Sequence, residues 1–350
     1  FASSPLVNTE SADQVAARAV RIARASARVQ AKPVKLAEQA PAVGHYSTDF
    51  EIDPFSVSIE DKLDLLLAAN DLICREQGVT VAECSMEIYR TRKAFGSTEG
   101  TYVTQMILES GAGMEATAAS EDEMQKRSFP NSFGRQVVTG GYEEIKKLDL
   151  EMNAPRTASE AVALLSAPEC PETTTTVILD ATQVALQVHE SCGHPTELDR
   201  VLGYEASFAG TSFLKPDMLG VFRYGSDLVN IVADATTPLG LGTFGFDDEG
   251  VPAQTNFLVR DGVFCGYLTS RETASELDQS SSGAMRAESW NHIPIIRMTN
   301  INLMPGELSL EDLIASTDTG IYMELNKSWS IDDLRLNFQF GTEIAWQIEG

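Results

Sequence analysis

The hexapeptide His189-Glu190-Ser191-Cys192-Gly193-His194 is the most informative stretch of this 350-residue chain. Two imidazoles can hold a divalent ion, and a carboxylate beside the first can accept a proton from metal-bound water. A single histidine near a helix end is more often a capping or surface residue. Two of the chain's four histidines bracketing a Glu instead favour a metal site, with His189 and His194 as ligands and Glu190 as the catalytic base.

The spacing of the two histidines is unusual for a metal-binding helix. Residues five apart on a regular α-helix are separated by about 140° of rotation, so His189 and His194 could not share one ion from a continuous helix. We therefore expect the helix to break between them. Gly193 is expected in the left-handed conformation that ends helices, and Pro195 after the second histidine strengthens the stop signal.

The sequence also predicts where the same helix begins. Asp180 followed by Gln183 fits a capping arrangement, which predicts a helix over about 181–192 that is entered from an extended run at 174–179. The first histidine then lies on the last turn, and the second folds back from the loop. Glu190 lies about 100° further around the helix than the first histidine, where it can orient a water without ligating.

The hexapeptide resembles the H-E-x-x-x-H signature of the TldD/PmbA family of metallopeptidases. The resemblance covers most of the chain and is strongest from about 185 to 345. Further stretches similar to TldD-type members are Glu197–Gly203, Phe246–Gln254, Gly266–Arg271, Met285–Trp290, Arg297–Asn300 and Gly320–Tyr322. Because the PmbA-type, TldE-like partners lack the two histidines, the chain is similar to the metal-bearing TldD type.

The resemblance implies a metal-dependent peptidase that acts on unfolded or flexible peptides. Imidazole ligands suit zinc, iron and nickel alike, and zinc is the favoured ion, with iron as the alternative. The resemblance also implies a homodimer, or a heterodimer with a metal-free PmbA/TldE-like subunit. In the family a downstream cysteine joins the two histidines, so the third ligand is expected as a Cys beyond Gly350. The chain is accordingly expected to lack its first part and its C-terminal end.

Several residues within the chain are alternative third ligands, because such sites draw on thiolates, imidazoles and carboxylates alike. They are Cys192, Cys265, His292, Glu197, Asp199 and Glu205. Cys192 is expected to pack within its own helical turn. Cys265 is expected to be a buried strand residue after the Asp261-Gly262 turn.

Composition narrows the function classes. With 26 basic and 51 acidic residues the formal net charge is −25, which argues against nucleic acid or an anionic membrane as the main partner. No apolar run approaches the roughly 18 residues that indicate a membrane span. Five cysteines without paired spacing favour reduced thiols and a cytoplasmic protein. The length and 43% hydrophobic content suggest two domains, at 1–175 and 176–350.

We predict an α+β fold, with helices on an antiparallel sheet in the N-terminal domain, a mostly β C-terminal domain, and the metal motif on a helix near their junction. The run 79–129 is predicted to be an antiparallel meander with turns at Gly96-Ser97 and Gly111-Ala112-Gly113. Further helices are predicted after Ser11 and at about 59–77, 141–148, 158–166 and 310–317. The expected N-caps are Ser11, Ser58, Thr157 and Ser309.

The favoured function is a metal-dependent peptidase in which Glu190 activates water, with the substrate extended along a strand edge of the C-terminal domain. The competing class is a non-catalytic metal- or peptide-binding module or partner subunit. A further alternative is an oxidoreductase that uses His and carboxylate ligands on iron.

Overall fold

The computed structural model describes residues 1–30, 32–208 and 210–350. Its α-helices are α1 Thr9–Ser26, α2 Ile59–Cys74, α3 Tyr142–Lys147, α4 Leu150–Leu164, α5 Ala181–Val188, α6 Leu198–Val201, α7 Arg271–Glu276 and α8 Leu310–Ala315. The strands are β1 Val43–Ser47, β2 Val79–Gly96, β3 Tyr102–Ala119, β4 Met124–Phe129, β5 Gln136–Val138, β6 Thr176–Leu179, β7 Ile231–Asp234, β8 Thr255–Arg260, β9 Val263–Phe264, β10 Met285–Arg286, β11 Ile295–Ile296, β12 Asn300–Leu303, β13 Thr319–Ile331 and β14 Phe338–Glu349. Within the described ranges no helix is long and apolar enough to cross a bilayer.

The N-terminal half is a sheet covered by helices, as predicted. β2 and β3 form a long antiparallel hairpin, and β4 and β5 also pair antiparallel with β3. β1 runs parallel to β3, so the sheet is mixed rather than wholly antiparallel. Helices α2 and α4 pack on it around a core that includes Ile73, Met114, Leu150 and Ala158.

One predicted turn is wrong. Gly111 and Gly113 lie in the middle of β3, not between strands. A Cβ on Gly111 would lie 2.1 Å from the carbonyl oxygen of Gln136, on the neighbouring strand β5. The glycines at this point therefore permit a close approach of backbones.

The predicted helix starts are confirmed at two positions. Ser58 caps α2 by accepting a hydrogen bond from the Asp61 amide at 3.0 Å, and Ser309 forms a reciprocal capping box with Asp312 at α8. At α1 the cap is Asn8, not Ser11.

The predicted start of the helix at Thr157 is wrong. Helix α4 begins at Leu150 and continues through Pro155, and the Thr157 hydroxyl donates to the Asn153 carbonyl at 3.0 Å inside it. Its alanines at 154, 158 and 161 are completely buried. Tertiary packing therefore outweighs the backbone hydrogen bond that the proline removes.

The C-terminal half is mostly β, as predicted. It contains a four-stranded sheet in the order β12-β7-β8-β9, a three-stranded sheet in the order β14-β13-β6, and the two-stranded ribbon β10-β11. Asp261 and Gly262 join β8 to β9 with φ of 48° and 75°, the backbone of a tight hairpin turn. Leu258, Phe264 and Leu268 lie at the centre of the core.

Buried charges join the two halves. Arg127 on β4 forms ion pairs at 2.8 Å with Glu160, 3.4 Å with Glu324 and 3.3 Å with Glu343, although only 1% of its side chain is exposed. Ser128 donates to Glu343 from its amide at 2.8 Å and its hydroxyl at 2.7 Å. Glu324 and Glu343 belong to β13 and β14, so this cluster holds the N-terminal sheet against the hairpin that passes the metal motif.

Candidate metal centre

Helix α5 brings the hexapeptide into the interior. Strand β6 pairs parallel with β13 and leads directly into α5. The N-cap is Asp180, as predicted, and its carboxylate accepts a hydrogen bond from the Thr182 amide at 2.8 Å. Val188 lies in the C-terminal core and Val184, one turn earlier, packs against it, so this apolar side of α5 anchors the motif that follows.

The helix does not break between the two histidines. Residues His189–Gly193 form a π-helical turn in which the His194 amide donates to the carbonyl of His189, and a 3₁₀ turn, His194–Thr196, continues from it. Gly193 has right-handed φ and ψ of −77° and −68°. The predicted left-handed glycine and chain break are therefore wrong. Bonding from residue i to i+5 instead brings residues five apart onto the same side of the helix.

This turn brings three potential ligand groups together. One ligand atom from each of His189, Glu190 and His194 lies within 4.8 Å of the other two. The imidazole centroids are 4.8 Å apart with an interplanar angle of 88°, and His194 Nε2 lies 3.9 Å from Glu190 Oε2. Since zinc is bound at about 2.1 Å, modest side-chain rotations bring these atoms to one ion.

A buried carboxylate orients the second histidine. Glu197 Oε2 lies 2.9 Å from His194 Nδ1 and accepts hydrogen bonds from Arg200 Nε at 3.0 Å and Nη2 at 2.7 Å. Burial opposes ionisation of Glu197, but its hydrogen bond with His194 and the charge of Arg200 outweigh it, and its pKa is lowered. The ionised carboxylate assigns the proton to Nδ1 and leaves the Nε2 lone pair available. Glu197, one of the alternative third ligands, is thus hydrogen-bonded to the candidate ligand His194 instead.

The first histidine is held in its neutral form. His189 is open to the cleft on one side, yet protein atoms surround much of the ring and His194 lies beside it. The loss of hydration and then the neighbouring imidazole lower the pKa of His189 to about 4. A neutral imidazole is the form that binds a metal. Two converging imidazoles, a nearby carboxylate and an orienting Glu197 therefore fit a divalent ion.

Glu190 has a partner that sequence reasoning missed. Its residue is 9% exposed, and Oε2 accepts a hydrogen bond from Arg335 Nη1. Arg335 lies between β13 and β14 with a φ of 63°, an uncommon conformation for a residue other than glycine. No local pattern relates the two residues, which are 145 positions apart, so only the hairpin packing reveals the contact.

Gly193 has a packing role. A Cβ at this position would lie 2.0 Å from Met298 Sδ and 3.3 Å from Ile301 Cγ1. The glycine therefore allows the segment around Met298 to lie directly against the π-helical turn.

The two histidines open into a cleft of about 770 Å³. Its lining comprises His189, His194, Glu205, Phe208, Arg286, Ala287, Glu288, His292, Ile293, Ile295, Arg297 and Met298. Two alternative third ligands, Glu205 and His292, are thus in the cleft. His292 Nε2 lies 3.7 Å from Glu288.

The remaining alternative ligands do not line the cleft. Cys192 packs against the C-terminal core, as predicted, and burial raises its pKa to about 12. Asp199 accepts a hydrogen bond from the Ile296 amide at 3.1 Å. Cys265 is exposed, so its predicted burial is wrong, and its thiol lies 3.6 Å from the Phe257 carbonyl.

Comparison with known proteins places these features in a family. The sequence model of the PmbA/TldA metallopeptidase C-terminal domain matches residues 172–350, and that of the central domain matches residues 52–167. A metalloprotease of Methanocaldococcus jannaschii is 29% identical over 100% of this chain and 74% of its own length. A protein of Saccharolobus solfataricus named a zinc metalloprotease TldD homolog is 27% identical over 49% of this chain and 37% of its own length.

A solved structure shows the same fold. TldE from Thermococcus kodakarensis matches with a TM-score of 0.69 and 17% identity, over 98% of this chain and 74% of that one. The chain thus spans only part of the length of each of these three proteins.

Proposed function

This chain belongs to the PmbA/TldA metallopeptidase family, and we propose that it is a metal-dependent peptidase that hydrolyses unfolded or flexible peptides. The observation that carries the proposal is the convergence of His189, Glu190 and His194, with ligand atoms within 4.8 Å of one another. The carboxylate of Glu197 behind His194 is the support that metal-binding histidines ordinarily have.

We assign the metal ligation to His189 and His194 and the proton transfer to Glu190. Two imidazoles suit zinc and, less specifically, iron, and the name of the Saccharolobus relative supports zinc. When bound, the ion would polarise the peptide carbonyl.

Glu190 performs the proton transfers in this proposal. Its carboxylate accepts a proton from the attacking water as the C–O bond forms, and then donates that proton to the leaving amine as the peptide C–N bond breaks. The hydrogen bond from Arg335 to Oε2 fixes the carboxylate and leaves Oε1 to accept the proton.

We place the substrate in an extended conformation along the ribbon β10-β11. Residues at the ends of both strands line the cleft, and each strand is only two residues long, which leaves backbone groups near the cleft to pair with a peptide. Pairing through the backbone would tolerate many sequences.

We also propose a dimeric, cytoplasmic protein. The similarity to TldE supports a TldD-like subunit that pairs with itself or with a metal-free PmbA/TldE-like subunit. All five cysteines are free, which is in keeping with a reducing compartment. Light scattering of the purified protein, alone and with such a partner, distinguishes the two assemblies.

The test of the function combines metal analysis with peptide cleavage. We expect bound zinc or iron by elemental analysis and hydrolysis of unstructured peptides that a chelator abolishes. Glu190→Gln should keep the metal and lower kcat by at least about 10²-fold, the lower end for loss of a general base. Glu151→Gln, the same change at an exposed carboxylate on α4 outside the cleft, is the matched control and should leave kcat nearly unchanged.

The outcomes separate the alternatives. Full activity in Glu190→Gln would exclude its role as the base. Bound metal without cleavage of any peptide would favour a non-catalytic binding module, and chelator-sensitive redox turnover would favour the oxidoreductase.

A further inference from the structure

Two arginines in the metal cleft lack a carboxylate partner. Seven arginines are withdrawn from solvent in the described chain. Five of them have a carboxylate oxygen within 4.0 Å, namely Arg90, Arg127, Arg200, Arg271 and Arg335. Arg286 and Arg297 have none among the described residues, and both line the cleft with the two histidines. In a chain with 51 acidic residues, a partly buried arginine without a carboxylate is unexpected.

The ribbon β10-β11 places both side chains on one face. Arg286 stands opposite Ile295 in antiparallel register, and Arg297 follows Ile295 by two residues, with its amide donating to the Ala284 carbonyl at 2.8 Å. Residues directly opposite, and residues two apart on one strand, project from the same face of a ribbon. Since Arg286, Ile295 and Arg297 all line the cleft that the two histidines line, that face is turned towards the metal motif.

Local contacts hold this face next to the π-helical turn. Arg286 Nη1 donates to the Met298 carbonyl at 3.2 Å, and the side chain of Met298 fills the space left by Gly193. The Met298 carbonyl accepts a hydrogen bond from only one of the N–H groups of Arg286. A guanidinium has five N–H donors, so donors remain for a ligand.

Two carboxylates act on Arg286 only from beyond ion-pair distance. The pKa of Arg286 is lowered by burial and in smaller part by Arg297, against the opposing effect of Glu109 and Asp248. Those two carboxylates line a second cavity of about 200 Å³ that Arg286 also lines, but neither lies within the 4.0 Å of an ion pair with Arg286.

We propose that Arg286 and Arg297 bind a carboxylate of the peptide substrate, either the C-terminal carboxylate or the side chain of Asp or Glu. Planar guanidinium groups bind carboxylates through paired, charge-assisted hydrogen bonds. A local positive site would also admit acidic groups to a protein whose net charge is −25. The proposal rests on the peptidase function and adds a substrate class to it.

The experiment uses four matched, otherwise neutral peptides. One has a free C-terminus, one is amidated, one is amidated with a single Glu, and one is amidated with Gln in its place. We expect the wild-type protein to favour a carboxylate-bearing peptide over its neutral match by about 10-fold or more in kcat/KM, since hydrogen bonds to charged groups contribute about 1.5–3 kcal/mol. The pair that shows the preference identifies the source of the carboxylate.

Variants connect the preference to the two arginines. Arg297→Met and Arg286→Met should lower kcat/KM for the carboxylate-bearing peptides more than for their neutral matches, so that the preference is lost. Arg297→Lys keeps the charge but loses the planar fork of the guanidinium, so it should keep part of the preference. It is the variant to measure if either Met variant folds poorly. Exposed Arg92, on β2, supplies the control, and Arg92→Met should keep the full preference.

A binding measurement separates this inference from the peptidase proposal. Fluorescence anisotropy with Glu190→Gln protein reports peptide binding without hydrolysis, and the same preference should appear in Kd. Equal binding and cleavage of all four peptides, or a preference that survives both Met variants, would overturn the carboxylate site. A carboxylate preference in binding with no cleavage by the wild type would instead contradict the peptidase function alone.

Discussion

Two regions of this molecule bury charged side chains, and they do so in different ways. At the junction of the two halves, Arg127 has Glu160, Glu324 and Glu343 within 3.4 Å. In the metal cleft, the ligand atoms of His189, Glu190 and His194 converge, and Arg286 and Arg297 line the cleft with no carboxylate oxygen within 4.0 Å among the described residues.

The difference indicates what each region is for. Charges that satisfy one another within the chain contribute to holding the fold together, because removal of one partner leaves the others buried and unpaired. Donors and acceptors that face an open cleft without partners are instead available to a ligand. Glu197 has both properties, since it pairs with Arg200 and also orients His194.

The largest effect is expected at the junction. Arg127→Met leaves Glu324 and Glu343 without a cation and should lower the free energy of unfolding by about 3–5 kcal/mol, measured by urea denaturation. Metal content should be unchanged in the fraction that folds. Arg156→Met is the matched control: it removes an exposed pair with the same Glu160 at 3.1 Å and should cost less than about 1 kcal/mol. Equal losses in both variants would contradict the structural role of the buried cluster.

The packing of the π-helical turn gives the next effect. Gly193→Ala places a Cβ 2.0 Å from Met298 Sδ and should lower the free energy of unfolding by about 1–3 kcal/mol through overpacking. The double variant with Met298→Ala should show a favourable coupling energy, since the clash is gone. Strictly additive losses would exclude packing as the reason for the glycine.

The support behind His194 is tested by Glu197→Gln. The amide loses the charge that assigns the Nδ1 proton, and metal affinity should fall by about 10- to 100-fold, as measured by competition with a chromophoric chelator. Urea unfolding of the metal-free variant controls for the loss of the pair with Arg200. Unchanged affinity would show that Glu197 serves the fold alone.

Asp247 should give the smallest effect. It is 2% exposed, has no cation within ion-pair distance among the described residues, and burial raises its pKa from 3.8 to about 7. Between pH 3.8 and about pH 7 the folded protein therefore keeps a proton on Asp247 that the unfolded chain has lost. The free energy of unfolding should fall as the pH rises towards 7, by on the order of 1 kcal/mol per pH unit.

Urea denaturation at pH 6 and pH 7 tests this sign over an interval in which the expected loss is about 1 kcal/mol. Asp247→Asn should lose less stability than the wild type over the interval, because the amide does not titrate. An identical change in both proteins would contradict the raised pKa.

Sequence reasoning was most successful where the signal is local. Asp180, Ser58 and Ser309 cap helices as predicted because a cap depends on residues within one turn. The predicted helix start at Thr157 was wrong, because tertiary packing lets the helix continue through Pro155. The predicted turn at Gly111 was wrong, because the glycines there permit a close approach of neighbouring strands.

By itself, the sequence predicted that His189, Glu190 and His194 belong to one site, since these residue types lie within one short segment that resembles one family's signature. The tertiary structure decided how they meet, through a π-helical turn packed under Met298. It also decided which distant residues face them, Arg335, Arg286 and Arg297. The physical reason is that chemical identity is encoded residue by residue, whereas contacts between residues far apart in the chain exist only after the sheets and hairpins have packed.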